Sequence, residues 1–245
     1  MIAPLVNVTV PVYNEATSLA SSIGKLSGFL ETKCGWPYEI VIANNASTDA
    51  TLEIARTLAR SIPAVRVVHL TEKGRGRAVK QVWRESSAVI LTYMDVDLST
   101  ELAAFTRLIQ PLLDGRADLA VGSRLHPDSS TRRGFKREFI SRGYNLLVKA
   151  AFQTRFSDAQ CGFKAITRLA AKELLPLVQN DHWFMDTELL VVAEKLGYRI
   201  YDLPVHWVDD PDSRVVIWRT VLEDLRGVVR VRWKLRDLDG YRRGR

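Results

Sequence analysis

Short apolar runs rich in β-branched residues alternate along this chain with segments whose apolar positions recur every three or four residues. The runs at 5–12, 38–43, 65–70, 89–94 and 119–122 predict strands. Between them, a helix capped by Thr17 or Ser18 runs to about Leu30. A second carries Leu52, Ile54, Ala55, Leu58 and Ala59 and stops before Pro63. A third covers 78–85, and a fourth covers 102–113 with Leu102, Phe105, Leu108, Ile109 and Leu112 on one face. Strands that alternate with helices in this way predict a mostly parallel sheet wrapped on both faces.

Further along, 126–136 is polar and aperiodic, which predicts a mobile loop. Residues 189–196 read as a helix and 203–208 as a late strand. Trp218, Val221, Leu222 and Leu225 fall on one face of a helix over 215–227, whereas 229–236 alternates strictly and suits a strand as well as a continued helix.

In such sheets ligands bind beyond the carboxyl ends of the strands. Here those ends carry Tyr13-Asn14-Glu15, Asn44-Asn45 with Ser47-Thr48-Asp49, and Asp95-Val96-Asp97. Alternate residues of a strand share a face, so Asp95 and Asp97 can point at one object. Two like charges held together call for a cation between them, and a hard divalent ion that also holds substrate phosphates suits two carboxylates. The alternative is that these residues only cap the next helix. The loop Lys73-Gly74-Arg75-Gly76-Arg77 is basic and flexible enough to meet phosphate, although it lacks the ending of a P-loop. Amides for a base edge, acids for a metal and a basic glycine loop together describe a nucleotide diphosphate site.

Composition narrows the class. With 245 residues, 47% of them hydrophobic, the chain suits one large α/β domain. Cys34 and Cys161 are too few for a disulfide framework or a thiolate metal site. No run of eighteen apolar residues and no leader pattern occurs, so the expectation is a chain neither secreted nor membrane-spanning. Of the net charge of +7, nine basic and four acidic residues from Trp218 onward supply +5. A basic end suggests an anionic partner, either nucleic acid or an acidic lipid surface. Nucleic acid explains the charge but not the paired acids, and no aromatic-basic recognition module is present.

The motifs at Pro11-Val12-Tyr13-Asn14-Glu15, 44–49, Gly74-Arg75-Gly76 and Asp95-Val96-Asp97 resemble, in order, those of inverting family 2 glycosyltransferases with the GT-A fold. Gly122-Ser123-Arg124, Arg137 with Ser141-Arg142-Gly143, Asn145, 158–164 and 184–189 are similar to the polyprenyl-phosphate (dolichyl-phosphate) glucose and mannose synthases. The resemblance spans about residues 5–215. It implies a GT-A, Rossmann-like domain over 1–212, with a donor half at about 1–122 and an acceptor half at about 123–212, followed by a basic amphipathic segment over 213–245. It also implies a nucleotide-sugar site at Pro11, Tyr13, Glu15, Asn44, Asn45, Arg75, Asp95, Val96, Asp97 and Arg214, with Mg²⁺ or Mn²⁺ on Asp95 and Asp97. Arg124, Arg137 and Ser141 would hold the acceptor phosphate, with Gln160 and Lys164 at the edge. Asp186 is either a helix N-cap or an acceptor-side catalytic group. Cys161 reads as a small buried side chain and His206 as a strand histidine.

Two departures bear on the donor. Asn44 stands where many relatives have Asp, and Leu98-Ser99-Thr100 follows the acids where mannose-type relatives often place Gln or His. The second feature favours UDP-glucose over GDP-mannose. The implied reaction is metal-dependent inverting transfer of a hexose to a polyprenyl phosphate, with Asp97, Arg214 and Asp186 as catalytic candidates. The enzyme would sit at the cytoplasmic face of an anionic membrane as a peripheral protein, with a membrane-protein partner or a second copy left open. The alternatives are a soluble transferase with a non-lipid acceptor, a nucleotidyltransferase, and a silent nucleotide-sugar-binding module that recruits a membrane partner.

Overall fold

Strand β1 (Val6–Val12) is buried along its whole length and lies between β2 (Tyr38–Asn45) and β4 (Ile90–Met94), both parallel to it. The computed structural model describes residues 4–132, 134–208 and 217–242; for 135–137, 217–222 and 237–242 the description is of the backbone. Around β1 the sheet runs β3-β2-β1-β4-β7-β5-β8, with β3 at Val65–Leu70, β5 at Leu119–Ser123, β7 at Phe163–Thr167 and β8 at Ile200–Pro204. Only β7 is antiparallel to its neighbours among these strands.

The helices between strands are α1 (Leu19–Lys33), α2 (Thr51–Ser61), α3 (Arg75–Glu85) and α4 (Ala104–Leu113). Period-2 alternation in β2 shows why both faces need cover: Ile40 and Ile42 join the main core, while Val41 and Ala43 meet Ala78 and Val82 of α3 on the opposite side. After β5 the chain adds β6 (Ser130–Arg132), α5 (Phe135–Phe152), α6 (Arg168–Leu174), α7 (Met185–Lys195), β9 (His206–Val208) and the long α8 (Ile217–Arg242).

Several expectations need correction. The loop at 126–136 contains β6, which pairs with β9 in a second two-stranded sheet, and ends in the first turn of α5. The late strand at 203–208 is therefore two strands: β8 completes the main sheet, and the chain crosses at Val205 to join β6. Residues 229–236 belong to α8. Asp224, Gly227, Val228 and Val231 face inward at helical spacing, while Leu225, Val229 and Trp233 stay exposed. β7 had no clear signature, because Lys164 interrupts its apolar pattern. Finally, α3 starts at Arg75 rather than Ala78, so the glycine loop forms a helix N-terminus.

Candidate functional site

The loops after β1 and β2 are knitted together at the carboxyl edge of the sheet. Asn14, in the left-handed region at φ 55°, accepts from the Thr48 backbone amide at 2.8 Å on its side-chain oxygen and donates its own backbone amide to the Ser47 hydroxyl oxygen at 3.0 Å. Glu15 takes its amide to Thr51 Oγ1 at 2.8 Å, and its carboxylate accepts from the Ser18 hydroxyl at 2.6 Å. Lys73 Nζ lies 3.5 Å from the centre of the Tyr13 ring, which draws the glycine loop to the first strand.

That loop is rigid because of close backbone contacts. Asn45 Oδ1 accepts from the Gly74 amide at 2.6 Å, and a methyl on Gly76 would lie 2.6 Å from Met185 Cβ and 2.9 Å from the His182 carbonyl oxygen. Only glycine permits this approach, which docks α3 onto the start of α7. Asn45 thus supports the loop. Asn44 is fully buried, with Nδ2 2.8 Å from His69 Nδ1 and Oδ1 lacking a partner. Pro11 is buried within β1.

Arg75 occupies the centre. Its guanidinium donates to Asp95 Oδ1 at 2.6 Å and to Asp186 Oδ2 at 2.7 Å, and it lies 4.9 Å from the Tyr93 ring centre and 4.8 Å from that of Trp183. Desolvation works against its charge, yet the two carboxylates raise its pKa well above the ordinary arginine value. Asp186 also accepts from the Tyr93 hydroxyl and lies 3.2 Å from Lys164 Nζ. Burial pushes its carboxyl up, but Lys164 and Arg75 outweigh that and hold the pKa below the usual range. For Tyr93, burial and then the Asp186 charge push the phenol well above its ordinary value.

Asp186 is not the N-cap of α7, a position held by Phe184. At 2% exposure it is buried, paired with Arg75, which in turn contacts Asp95. Lys164 is equally buried and donates to the Cys161 carbonyl oxygen at 2.5 Å.

Asp95 and Asp97 line one pocket together with Thr100, Gly162 and Trp207. Asp97 Oδ1 accepts from the Ser99 amide at 2.9 Å, while the intervening Val96 is buried. β7 brings Gly162 so near that an added methyl would fall 1.7 Å from Asp95 Oδ2. No group of three or more His, Cys, Asp and Glu suited to a metal occurs among the described residues. Asp95 and Asp97, facing one pocket, offer hard carboxylate oxygens of the kind a divalent ion takes, too few to complete its shell alone.

Past the end of β5, Arg124 is committed to Asp158, with Nε–Oδ2 at 2.7 Å and Nη2–Oδ1 at 2.9 Å, and it stacks 5.0 Å from the Trp207 ring centre. This bidentate pair is buried. Burial opposes the charge of Asp158, but Arg124 prevails and keeps the carboxyl pKa below normal. Ser141 is buried on α5 with an unpartnered hydroxyl. Gln160 donates to Asp224 of α8 at 3.0 Å. Arg137 lies on α5 among residues described by backbone, and Arg214 lies outside the described residues.

Sequence reasoning assigned no role to Tyr93, Asp158, Trp183 or Asp224. Tyr93 lies in the strand run 89–94 and Asp158 in the 158–164 motif, so their polarity amid apolar neighbours was the available signal; Trp183 and Asp224 carried none. Cys161 is inert, its thiol pushed by burial up to about 12.

Residues 7–175 match the family described as Glycosyl transferase family 2. Glycosyltransferase AglD of Haloferax volcanii is 34% identical over 94% of this chain, which spans 37% of that longer protein. The dolichyl-phosphate beta-glucosyltransferase of Drosophila melanogaster is 32% identical over 85% of this chain and 68% of its own length. Glucosyl-3-phosphoglycerate synthase from Mycobacterium tuberculosis, solved with Mn²⁺, UDP-glucose and phosphoglyceric acid, superposes with a TM-score of 0.71 at 20% identity, over 94% of this chain and 80% of the other, which establishes the shared GT-A-like fold. By the extent of the family match and the order of its motifs, the chain belongs to glycosyl transferase family 2.

Proposed function

We propose that this chain transfers glucose from UDP-glucose to a polyprenyl phosphate, with inversion, at a membrane surface. The observation that carries this reading is the shared pocket of Asp95 and Asp97 at the carboxyl edge of the sheet, with Arg75 braced against Asp95. The dolichyl-phosphate beta-glucosyltransferases among its relatives support the acceptor class. A bound Mg²⁺ or Mn²⁺ would supply charge neutralisation for the departing diphosphate.

The chain's own residues do the rest. Asp95 and Asp97 present hard oxygens; Arg75 and Asp186 keep Asp95 oriented; Asn44 and Tyr13 lie at the strand ends where the base enters. The attacking acceptor oxygen is already ionised as a phosphate, so alignment matters more than a strong general base. Arg137, Ser141 and Arg124 are the candidates for holding that phosphate, with Gln160 and Lys164 behind them. Arg124 can contribute by sharing its fork with Asp158 or exchanging it. Arg214 is the candidate for assisting the leaving group.

Exposed Phe139, Ile140, Leu146 and Leu147 on α5, with Leu225, Val229 and Trp233 on α8, support contact with lipid. No helix among the described residues is long and apolar enough to cross a membrane. In the test, labelled UDP-glucose or GDP-mannose is incubated with Mg²⁺ or Mn²⁺ and a short polyprenyl phosphate. Glucose label should enter the organic phase, and Asp97→Ala should abolish it while the protein stays folded. Metal-dependent transfer surviving in Asp97→Ala, or label released only into water, would overturn the reading.

A further inference from the structure

The segment before α7 is clamped along its length. Asp181 accepts the Arg77 amide on its carbonyl oxygen at 2.9 Å, and its carboxylate lies 2.8 Å from Lys80 Nζ. The His182 amide donates to Asn180 Oδ1 at 2.8 Å, and the Asn180 amide to Glu188 Oε2 at 2.8 Å. A chain held this tightly nevertheless leaves Trp183 at 41% exposure, while Phe184 beside it is fully buried. Its neighbours point to a use for that exposed ring. The Trp183 ring stacks on the Arg75 guanidinium, which at its other edge grips Asp95 of the metal pocket. The indole therefore sits one guanidinium away from the carboxylate to which a sugar diphosphate would be drawn.

We propose that Trp183 is the platform on which the hexose of the donor lies, and so a specificity-determining residue for the sugar rather than for the nucleotide. This rests on the nucleotide-sugar reading given above. Glucose in its chair form carries every ring hydroxyl equatorial, so its faces present C–H groups that pack on an aromatic ring, while the hydroxyls at its rim remain available for hydrogen bonds. A pre-positioned indole with only two side-chain torsions, already fixed by stacking on Arg75, offers that surface at little entropic cost. Uridine and the diphosphate would lie toward Tyr13, Asn44 and the metal pocket, away from this ring.

The experiment measures dissociation constants for UDP and for UDP-glucose, both with Mn²⁺, by calorimetry on the full chain and on Trp183→Leu and Trp183→Phe. The quantity of interest is the ratio of the two constants. In Trp183→Leu, UDP-glucose should weaken about tenfold relative to UDP, the size expected for loss of one aromatic stacking contact. Trp183→Phe, which keeps an aromatic face, should recover most of that ratio. If UDP and UDP-glucose weaken together in Trp183→Leu, the indole merely supports Arg75 and the proposal is overturned, with the donor site intact. If the unmodified chain binds neither ligand, the donor reading itself fails and the proposal falls with it.

Discussion

Gly162 is required by the carboxylate beside it. Its Cα faces Asp95 so closely that a Cβ would lie 1.7 Å from Oδ2, and its carbonyl oxygen accepts the Asp95 amide at 3.1 Å. In Gly162→Ala, Asp95 must swing away, breaking its contact with Arg75. Overpacking of this kind costs about 1–3 kcal/mol, leaving the fold standing. If Asp95 holds the proposed ion, a misplacement of about an ångström at the reacting centre costs on the order of a hundredfold in turnover. Under the proposed function, the expected outcome is a folded protein with transfer reduced about that much and affinity for the proposed ion reduced with it; wild-type transfer by Gly162→Ala would remove Asp95 from the proposed site. The close approach of Gly162 was legible from the residue itself, set among polar neighbours, but its target was not. Arg75 and Asp186 meet across 111 residues of sequence, and no local pattern encodes such a partner. The same holds for Arg124 and Asp158: both lie in recognisable motifs, yet their mutual neutralisation appears only once the fold brings them together.

Helix α8 is attached to α7 and its surroundings by buried polar groups rather than by apolar contact alone. Glu188 of α7, fully buried, accepts from Arg230 at 2.9 Å, and a methyl on Gly227 would meet the Phe184 ring at 2.5 Å. Asp224 is buried too, with Gln160 on Oδ2 and no partner for Oδ1. Burial raises its pKa to about 7, Glu223 adding to the effect against the Gln160 bond. The unfolded carboxyl titrates near 4. The folded state therefore holds the extra proton between these values, and stability contributed by protonated Asp224 is complete below about pH 4 and lost as pH rises through about 7. Asp224→Asn retains an acceptor for Gln160 without the charge. Denaturant titrations should show the variant more stable than the parent at pH 8, by on the order of 2–4 kcal/mol, with the gap closing by pH 4. A constant gap across that range would mean that Asp224 does not titrate as described. At this scale the sequence resolved α1 to α4 and β1 to β5 because each carries its own period. It left 229–236 undecided, since alternating apolar and basic residues satisfy both periods, and the packing of Val228 and Val231 against the core selects helix.

For the molecule as a whole, the mostly parallel sheet was readable because strand and helix signals alternate. The antiparallel insertion of β7 and the β6–β9 pair were not, since both depend on partners distant in sequence. Under the proposed function, a water-soluble sugar nucleotide and a greasy acceptor must reach one site. Helices α5 and α8 pack against each other, joined where Arg232 donates to the Ala151 carbonyl oxygen at 2.7 Å. Each leaves large apolar side chains in solvent: Phe139 at 73% and Leu146 at 69% on α5, Trp233 at 64% on α8. Arg142, Arg226, Arg232 and Arg236 stand among them, so hydrophobic insertion and attraction to acidic headgroups would act together. Burying one such side chain contributes about 1.5–3 kcal/mol, and each basic group near an anionic surface about 1 kcal/mol. The chain should therefore float with vesicles containing acidic lipid, less so at high salt and weakly with neutral vesicles. A combined Phe139→Ser, Leu146→Ser, Trp233→Gln variant should lose flotation at least about tenfold while still binding UDP-glucose, because none of the three touches the donor pocket. Flotation indifferent to both lipid charge and these substitutions would mean that the exposed faces of α5 and α8 serve something other than lipid, and the acceptor would have to reach the site by another route.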